Sequence, residues 1–387
     1  MNFDRLKEYQ DSLSKIGIAG NDLAIYVGYD EVYRYQTGFA DLENRRPIDS
    51  GTLYKMYSMT KPITVTAAMQ LVEEGRLLID HPLYEYLPEF REMNVAVTEE
   101  DGSKRIVPAE NPIYIHQLFS MTAGFSYDYK TPEFLALYER TGGQHTLSDV
   151  VSTIAKQPLY YEPGTRFLYS MGHDVLARVV EVITGKNFGA YIRERIFDPL
   201  GMEKASHHPS EEEMKRCAKT YTLNEAGDAL VPGEPESTFW ISPKFEGGGA
   251  GIICTIDEYA KFTKMLTHRG VGENGNRILT SRSVELIRTN RLSGKPLEDY
   301  QHSSQNRRDY GYGLGVRTLL DPAVGGSLSS VGEFGWGGAL GTYMLADPSS
   351  GVSVVYGQQA SSDERRPSVT RPLRNIIYAS LEYAGLI

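Results

Sequence analysis

Ser58 and Lys61 stand three residues apart in Ser58-Met59-Thr60-Lys61, a spacing that can bring a hydroxyl and an amine onto one helical face. An amine within reach of a serine hydroxyl can help remove its proton and turn it into a nucleophile. The pattern is short, and at ordinary Ser and Lys usage about one match is expected by chance in a chain of this size. Ser12-Leu13-Ser14-Lys15 also fits it, but lies in a charged stretch with Asp4, Arg5, Lys7, Glu8 and Asp11 that reads as a solvated amphipathic helix. After Ser58 come Ile63, Val65, Ala67, Ala68, Leu71 and Val72, closed by Glu73-Glu74-Gly75, which describes a largely buried helix with a glycine stop. Pro62 is acceptable there only in the first turn. Ser58 is thereby placed at a helix N-terminus, where free backbone N–H groups and the positive dipole end favour a developing negative charge. A capping serine followed by a surface lysine would leave the same trace, and this segment alone does not choose.

The elements that must position these residues fall into two groups. Residues 23–29 and 31–38 are short β-branched and aromatic runs that predict an antiparallel hairpin. Residues 312–319, 341–346 and 352–358 are further strand candidates, with Asp347-Pro348-Ser349-Ser350-Gly351 as a turn and a helical pattern over 369–383. Between the ends, helical stretches cover 116–121, 131–140, 147–155, 171–184 and 188–197. Strands at both ends and helices between them predict an α/β sheet domain built from both ends of the chain with a mainly helical region inserted. The boundaries expected are 1–80 and 205–387 for the sheet domain and 81–204 for the insert. The polar segment 292–309 reads as a loop long enough to be mobile or functional.

The 387 residues suit one large domain or two coupled ones. A formal net charge of −10, with no Lys/Arg cluster beyond the pairs Arg307-Arg308 and Arg365-Arg366, argues against nucleic acid and anionic membrane as partners. Cys217 and Cys254 are too few for a disulfide framework and read as reduced structural thiols. The N-terminus develops no apolar run and no stretch approaches a membrane span, so the expectation is a cytoplasmic protein. His116 reads as a packing residue, and His207-His208 lies in a polar loop with no third ligand in view, so no metal is expected. A Gly-x-Ser-x-Gly elbow does not occur, and Gly247-Gly248-Gly249-Ala250-Gly251 lacks the spacing of a dinucleotide fingerprint.

Five patterns in a fixed order carry a resemblance. They are Ser58-Met59-Thr60-Lys61; residues 117–125, Gln-Leu-Phe-Ser-Met-Thr-Ala-Gly-Phe; Glu162-Pro163-Gly164 followed by Tyr169-Ser170; Pro199-Leu200-Gly201-Met202; and Phe334-Gly335-Trp336-Gly337-Gly338. With them the chain resembles the serine β-lactamase and penicillin-binding-protein superfamily, in its class C-like branch and the related family VIII carboxylesterases. The resemblance implies a β-lactamase/transpeptidase-like fold, an antiparallel sheet flanked by helices, and a cofactor-free site. It makes Ser58 the nucleophile and Tyr169, with Lys61, its proton-transfer partner. Lys and Tyr side chains have reference pKa values near 10, so either Lys61 or Tyr169 could be the base once a desolvated cleft shifts it. The resemblance further implies that the N–H groups of Ser58 and Ala339 form the oxyanion hole. Gly335, Gly337 and Gly338 fit a strand that approaches a ligand closely.

Departures from the lactamase pattern bear on substrate. Enzymes of this kind that act on β-lactams and D-alanyl peptides usually show Lys or His where this chain has Trp336, ahead of Gly337 and Gly338. The cation that would hold a substrate carboxylate is missing, which favours neutral or apolar acyl esters. The asparagine expected two places after the tyrosine is Met171, so an amide-orienting group is lost as well. Tyr127 and Tyr129 are candidate cleft-lining aromatics, and Asp174 reads as structural. The expected activity is hydrolysis of a small-molecule ester through an acyl-enzyme. The alternatives are amide chemistry, as in a β-lactamase or D-amino-acid peptidase, and a non-catalytic ligand-binding protein that is merely acylated. The sequence sets no oligomeric state.

Overall fold

The computed structural model describes residues 3–99, 101–233, 242–303 and 308–387. Eight strands form one antiparallel sheet: β1 (Gly20–Val27), β2 (Asp30–Asp41), β3 (Arg46–Pro47), β4 (Tyr310–Tyr312), β5 (Arg317–Leu319), β6 (Phe334–Gly337), β7 (Tyr343–Asp347) and β8 (Val352–Gly357). Their order across the sheet is β4-β5-β6-β7-β8-β1-β2-β3. The two ends of the chain therefore meet at its centre, where β1 pairs with β8 from Asp22 opposite Gly357 to Val27 opposite Val352. This is the α/β architecture with an antiparallel sheet flanked by helices that the sequence predicts.

The period-2 alternation of the strands sorts side chains to two faces. From β1, β7 and β8, Leu23, Ile25, Leu345, Val354 and Tyr356 pack against α1 (Asp4–Ser12) and α6 (Thr370–Tyr383), contributing Leu6, Leu373, Ile377 and Leu381. Ala24, Tyr26, Met344, Ala346 and Val355 face the opposite way, into the main core around α2 (Thr60–Glu73) and α4 (Ile256–Thr267). α2 is buried from Thr60 to Leu71. It also packs against α3 (Gly172–Thr184), whose Val175, Leu176, Val179 and Val180 join the same core. Around α3 lie the short helices Ile115–Phe119, Pro132–Thr141, Leu147–Ile154 and Phe188–Ile192. Among the described residues no helix is long and apolar enough to cross a membrane.

Three details differ from the sequence expectations. Residues 312–319 are not one strand but β4 and β5, reversed at Gly313-Leu314-Gly315, where Gly315 takes a φ of 71°. The stretch 292–309 contains α5 (Gly294–Gln301); residues 304–307 of it, Arg307 included, lie outside the described residues. Asp299 of α5 pairs with Arg166 at 2.5 Å, and Tyr300 stacks edge-on with Phe167, so α5 itself is docked. A hairpin of Asn94–Thr98 with Lys104–Pro108, not expected from sequence, precedes the helical region.

Candidate active site

Ser58 is presented by a short 3₁₀ turn, Tyr57–Met59, that leads directly into α2. Tyr57 sits at a φ of 48°, a left-handed conformation that costs a bulky residue on the order of 1–3 kcal/mol and tends to be kept where a neighbour must be held in place. Ser58 is partly exposed while Lys61, one turn on, is fully buried.

Lys61 Nζ donates to three oxygens: Ser58 Oγ at 3.2 Å, the Tyr127 hydroxyl at 2.9 Å and the Gly249 carbonyl at 2.8 Å. A carbonyl only accepts, so one N–H is always committed to Gly249, whereas the two hydroxyls can each give or take a proton. Nζ is thereby a junction between the Ser58 and Tyr127 hydroxyls. Thr64, one turn further along α2, donates to the Gly248 carbonyl at 2.7 Å and fixes the same glycine loop from below. The loop over 247–251 must be glycine where it touches α3, since a Cβ on Gly248 would fall 2.2 Å from the His173 carbonyl.

The two tyrosines meet Lys61 differently. Tyr127 presents its hydroxyl; Tyr169 presents its ring, with Nζ 4.5 Å from the centroid. The Tyr169 hydroxyl accepts the indole N–H of Trp336 at 3.1 Å. Trp336 is itself buried, edge-on to Tyr312 at 5.1 Å. Burial pushes the Tyr127 phenol well above its ordinary pKa, with Tyr169 and Asp174 adding to the rise, so it holds its proton at neutral pH. His173 lies under the site and is driven well below the ordinary histidine range by burial and then by the Lys61 charge. It is neutral there.

Strand β6 brings the glycine pattern to the nucleophile. A Cβ on Gly338 would lie 2.5 Å from the Met56 carbonyl, and Thr342 Oγ1 donates to that carbonyl at 3.3 Å. Backbone thus lies directly against backbone just before Ser58, an approach only glycine permits. Gly337 closes β6, and Ala339 lies exposed in the turn that follows.

The structure therefore gathers Ser58, Lys61, Tyr127, Tyr169, Trp336, Gly337 and Gly338 at one place, with Ala339 at its exposed edge. Tyr127, expected only as a cleft-lining aromatic, is hydrogen-bonded into the proton network. Two contacts escaped the sequence reading: the Gly249 carbonyl on Lys61 Nζ, and the Gly249 N–H on Oδ1 of Asp174, a residue read only as structural, at 3.0 Å. Met171 is buried, with its backbone N–H on the Ser126 carbonyl. His116 is a packing residue, its Nδ1 3.2 Å from the Ile79 carbonyl. His207 lies in a loop, as expected, but is buried there, with Nε2 on the Gly247 carbonyl at 3.0 Å. Among the described residues no cluster of three His, Cys, Asp or Glu side chains is placed to hold a metal ion.

A serine on a helix-leading turn, a buried lysine one turn on and a glycine strand against both define, on this sheet, the serine β-lactamase and penicillin-binding-protein class. The chain belongs to that family: the Beta-lactamase family model matches residues 4–377. An uncharacterised protein of Mycobacterium tuberculosis is 33% identical over 331 residues, 83% of this chain and 80% of its own length. Esterase EstB of Burkholderia gladioli is 29% identical over 377 residues, covering 92% of this chain and 90% of the esterase. Among solved structures, unliganded simvastatin synthase (LovD) of Aspergillus terreus superposes with a TM-score of 0.79 at 22% identity, covering 98% of this chain and 99% of that one. EstCE1, a hydrolase with promiscuous acyltransferase activity, superposes with a TM-score of 0.76 at 23% identity, covering 97% of this chain and 98% of that one.

Proposed function

We propose that this protein is a cofactor-free serine hydrolase that cleaves carboxylic esters through an acyl-enzyme on Ser58. The observation that carries the reading is the three-way hydrogen bonding of Lys61 Nζ, which joins the Ser58 hydroxyl to that of Tyr127 in a buried setting. Ser58 Oγ attacks the ester carbonyl carbon while its proton passes to Lys61 Nζ, which accepts it as the neutral amine with its lone pair turned to Ser58 and becomes the ammonium. The N–H groups of Ser58 and Ala339 hold the oxyanion. Collapse of the tetrahedral intermediate breaks the bond to the leaving alkoxide, which takes a proton back from the Lys61, Tyr127 and Tyr169 group. Water then attacks the acyl-enzyme, gives up its proton along the same path and releases the acid. Lys61 rather than Tyr127 is the acceptor, because burial keeps the Tyr127 phenol protonated.

The ester preference rests on Trp336. Its only polar atom is an N–H, and that N–H is spent on Tyr169, leaving no cation at the position where lactam-cleaving relatives grip a carboxylate. The 29% identity to an esterase over nearly the whole chain supports the same choice. Intact-mass spectrometry after rapid quenching with a p-nitrophenyl ester tests the reading. An adduct of the acyl mass on the peptide containing Ser58 is expected, and turnover with no adduct there would remove the mechanism.

A further inference from the structure

Asp174 stands in the first turn of α3, buried, on the far side of the glycine loop from Lys61. One residue joins the two. Gly249 gives its N–H to Asp174 Oδ1 at 3.0 Å and its carbonyl to Lys61 Nζ at 2.8 Å. The remaining space at Gly249 is closed by the carboxylate and the tyrosine together, since a Cβ there would lie 2.7 Å from Asp174 Oδ2 and 2.9 Å from the Tyr127 hydroxyl. No bulkier residue could keep the carboxylate, the phenol and the lysine this close.

The groups that bear electrostatically on the carboxylate and on Lys61 come from three elements. Lys61 comes from α2, Tyr127 and Tyr129 from the segment after Gly124, and His173 from α3 beside Asp174; Tyr169 stacks on Lys61 from just before α3. Burial keeps the Tyr127 and Tyr129 phenols protonated and His173 neutral, which leaves the Lys61 amine and the Asp174 carboxyl as the acid–base pair facing each other across Gly249. An unpaired buried carboxylate would cost several kcal/mol. Burial pushes the Asp174 carboxyl above its ordinary value, and the Lys61 charge, followed by the Gly249 and Gly248 backbone, offsets part of that rise.

We infer that Asp174 is a positioning residue of the acyl-transfer site, its carboxylate acting across Gly249 to hold Lys61 in place as the buried cation and so setting the pH at which Ser58 becomes reactive. The inference rests on the hydrolase reading above. It assigns a function to a residue that makes no direct contact with the nucleophile, and it explains why the loop beneath the site is built of glycine.

Asp174→Asn keeps an oxygen for the Gly249 N–H and removes only the charge. A nearby anion favours the protonated form of a base, so its loss makes the proton on the Lys61 and Tyr127 pair easier to remove. The acid-side midpoint of the kcat/KM profile against pH, measured with a p-nitrophenyl ester, should move down by about one pH unit or more. Asp174→Glu, which retains a charge, should stay nearer the native midpoint. An Asn variant whose midpoint equals the native one, however low its kcat, would reduce Asp174 to scaffolding and overturn the inference. Should the Asn variant not fold, the carbon-13 shift of the Asp174 carboxyl in the native protein decides instead. A carboxylate through the pH range of activity is expected, and a protonated carboxyl at full activity contradicts the inference. Ser58→Ala in the same assay keeps the two claims apart: ester turnover that survives there defeats the hydrolase reading, while the carbon-13 result still stands for Asp174.

Discussion

Lys61 meets a hydroxyl on one side and an aromatic face on the other, and the two contacts have different worth. Tyr127→Phe removes one of the three hydrogen-bond partners of the buried Lys61 Nζ. If the junction at Nζ moves the proton, kcat/KM for a p-nitrophenyl ester falls by about 10²–10⁴-fold, the range for a lost proton-transfer group. A drop of less than tenfold would return Tyr127 to the lining role that its sequence position suggests. Ser58 and Lys61 were legible because they lie three residues apart across the turn that leads into α2, a local relation that spacing records. The Tyr127 contact spans 66 residues and Asp174 reaches Gly249 across 75. Nothing in the local pattern of one tyrosine among 26, or of a carboxylate at a helix start, encodes such a contact.

At the scale of elements, the glycine loop beneath the site is braced from outside by His207. Its Nε2 donates to the Gly247 carbonyl, which requires the ring to carry its proton there, and burial lowers its pKa to about 4. Between pH 6.5 and 4 the unfolded chain binds a proton that the folded protein does not. Stability is therefore present above pH 6.5 and is lost as the pH falls through this window, by about 1.4 kcal/mol per pH unit for this one group. Urea unfolding between pH 7 and 5 should show that slope, and His207→Gln, which keeps a donor but cannot titrate, should flatten it. An unchanged slope in the variant would assign the acid sensitivity to other groups. The strands and helices themselves were largely legible where one face is apolar: β1, β2, β8, α2 and α6 fall within a few residues of expectation. The two failures have different causes. Residues 312–319 alternate apolar residues with Gly313 and Gly315, and Gly315 reverses the chain, whereas α5 owes its place to Arg166, Phe167 and Tyr312 at a distance rather than to its own polar sequence.

For the molecule as a whole, the fold depends on closure between its ends. β1 and β8 pair at the centre of the sheet, and α1 and α6 cover one face of it together. Leu381, fully buried on α6, belongs to this closure; Leu381→Ala should cost about 2–5 kcal/mol in chemical unfolding, and a cost under about 1 kcal/mol would mean the C-terminal helix is not integral to the core. Strands from both ends with helices between were visible in the sequence because apolar alternation and helical periodicity change with position along the chain. The site lies where these parts converge: α2 and the turn before it bring Lys61 and Ser58, β6 brings the glycines, the helical region brings both tyrosines and Asp174, and the loop at 247–251 closes the floor. The central claim is that this convergence makes Ser58 an ester-cleaving nucleophile. Hydrolysis of a short-chain p-nitrophenyl ester and of a chromogenic cephalosporin, side by side, by the native protein and by Ser58→Ala, tests it most directly. The account predicts ester turnover well above cephalosporin turnover in the native protein and none of either in the folded variant. Ester turnover that persists in Ser58→Ala would contradict it.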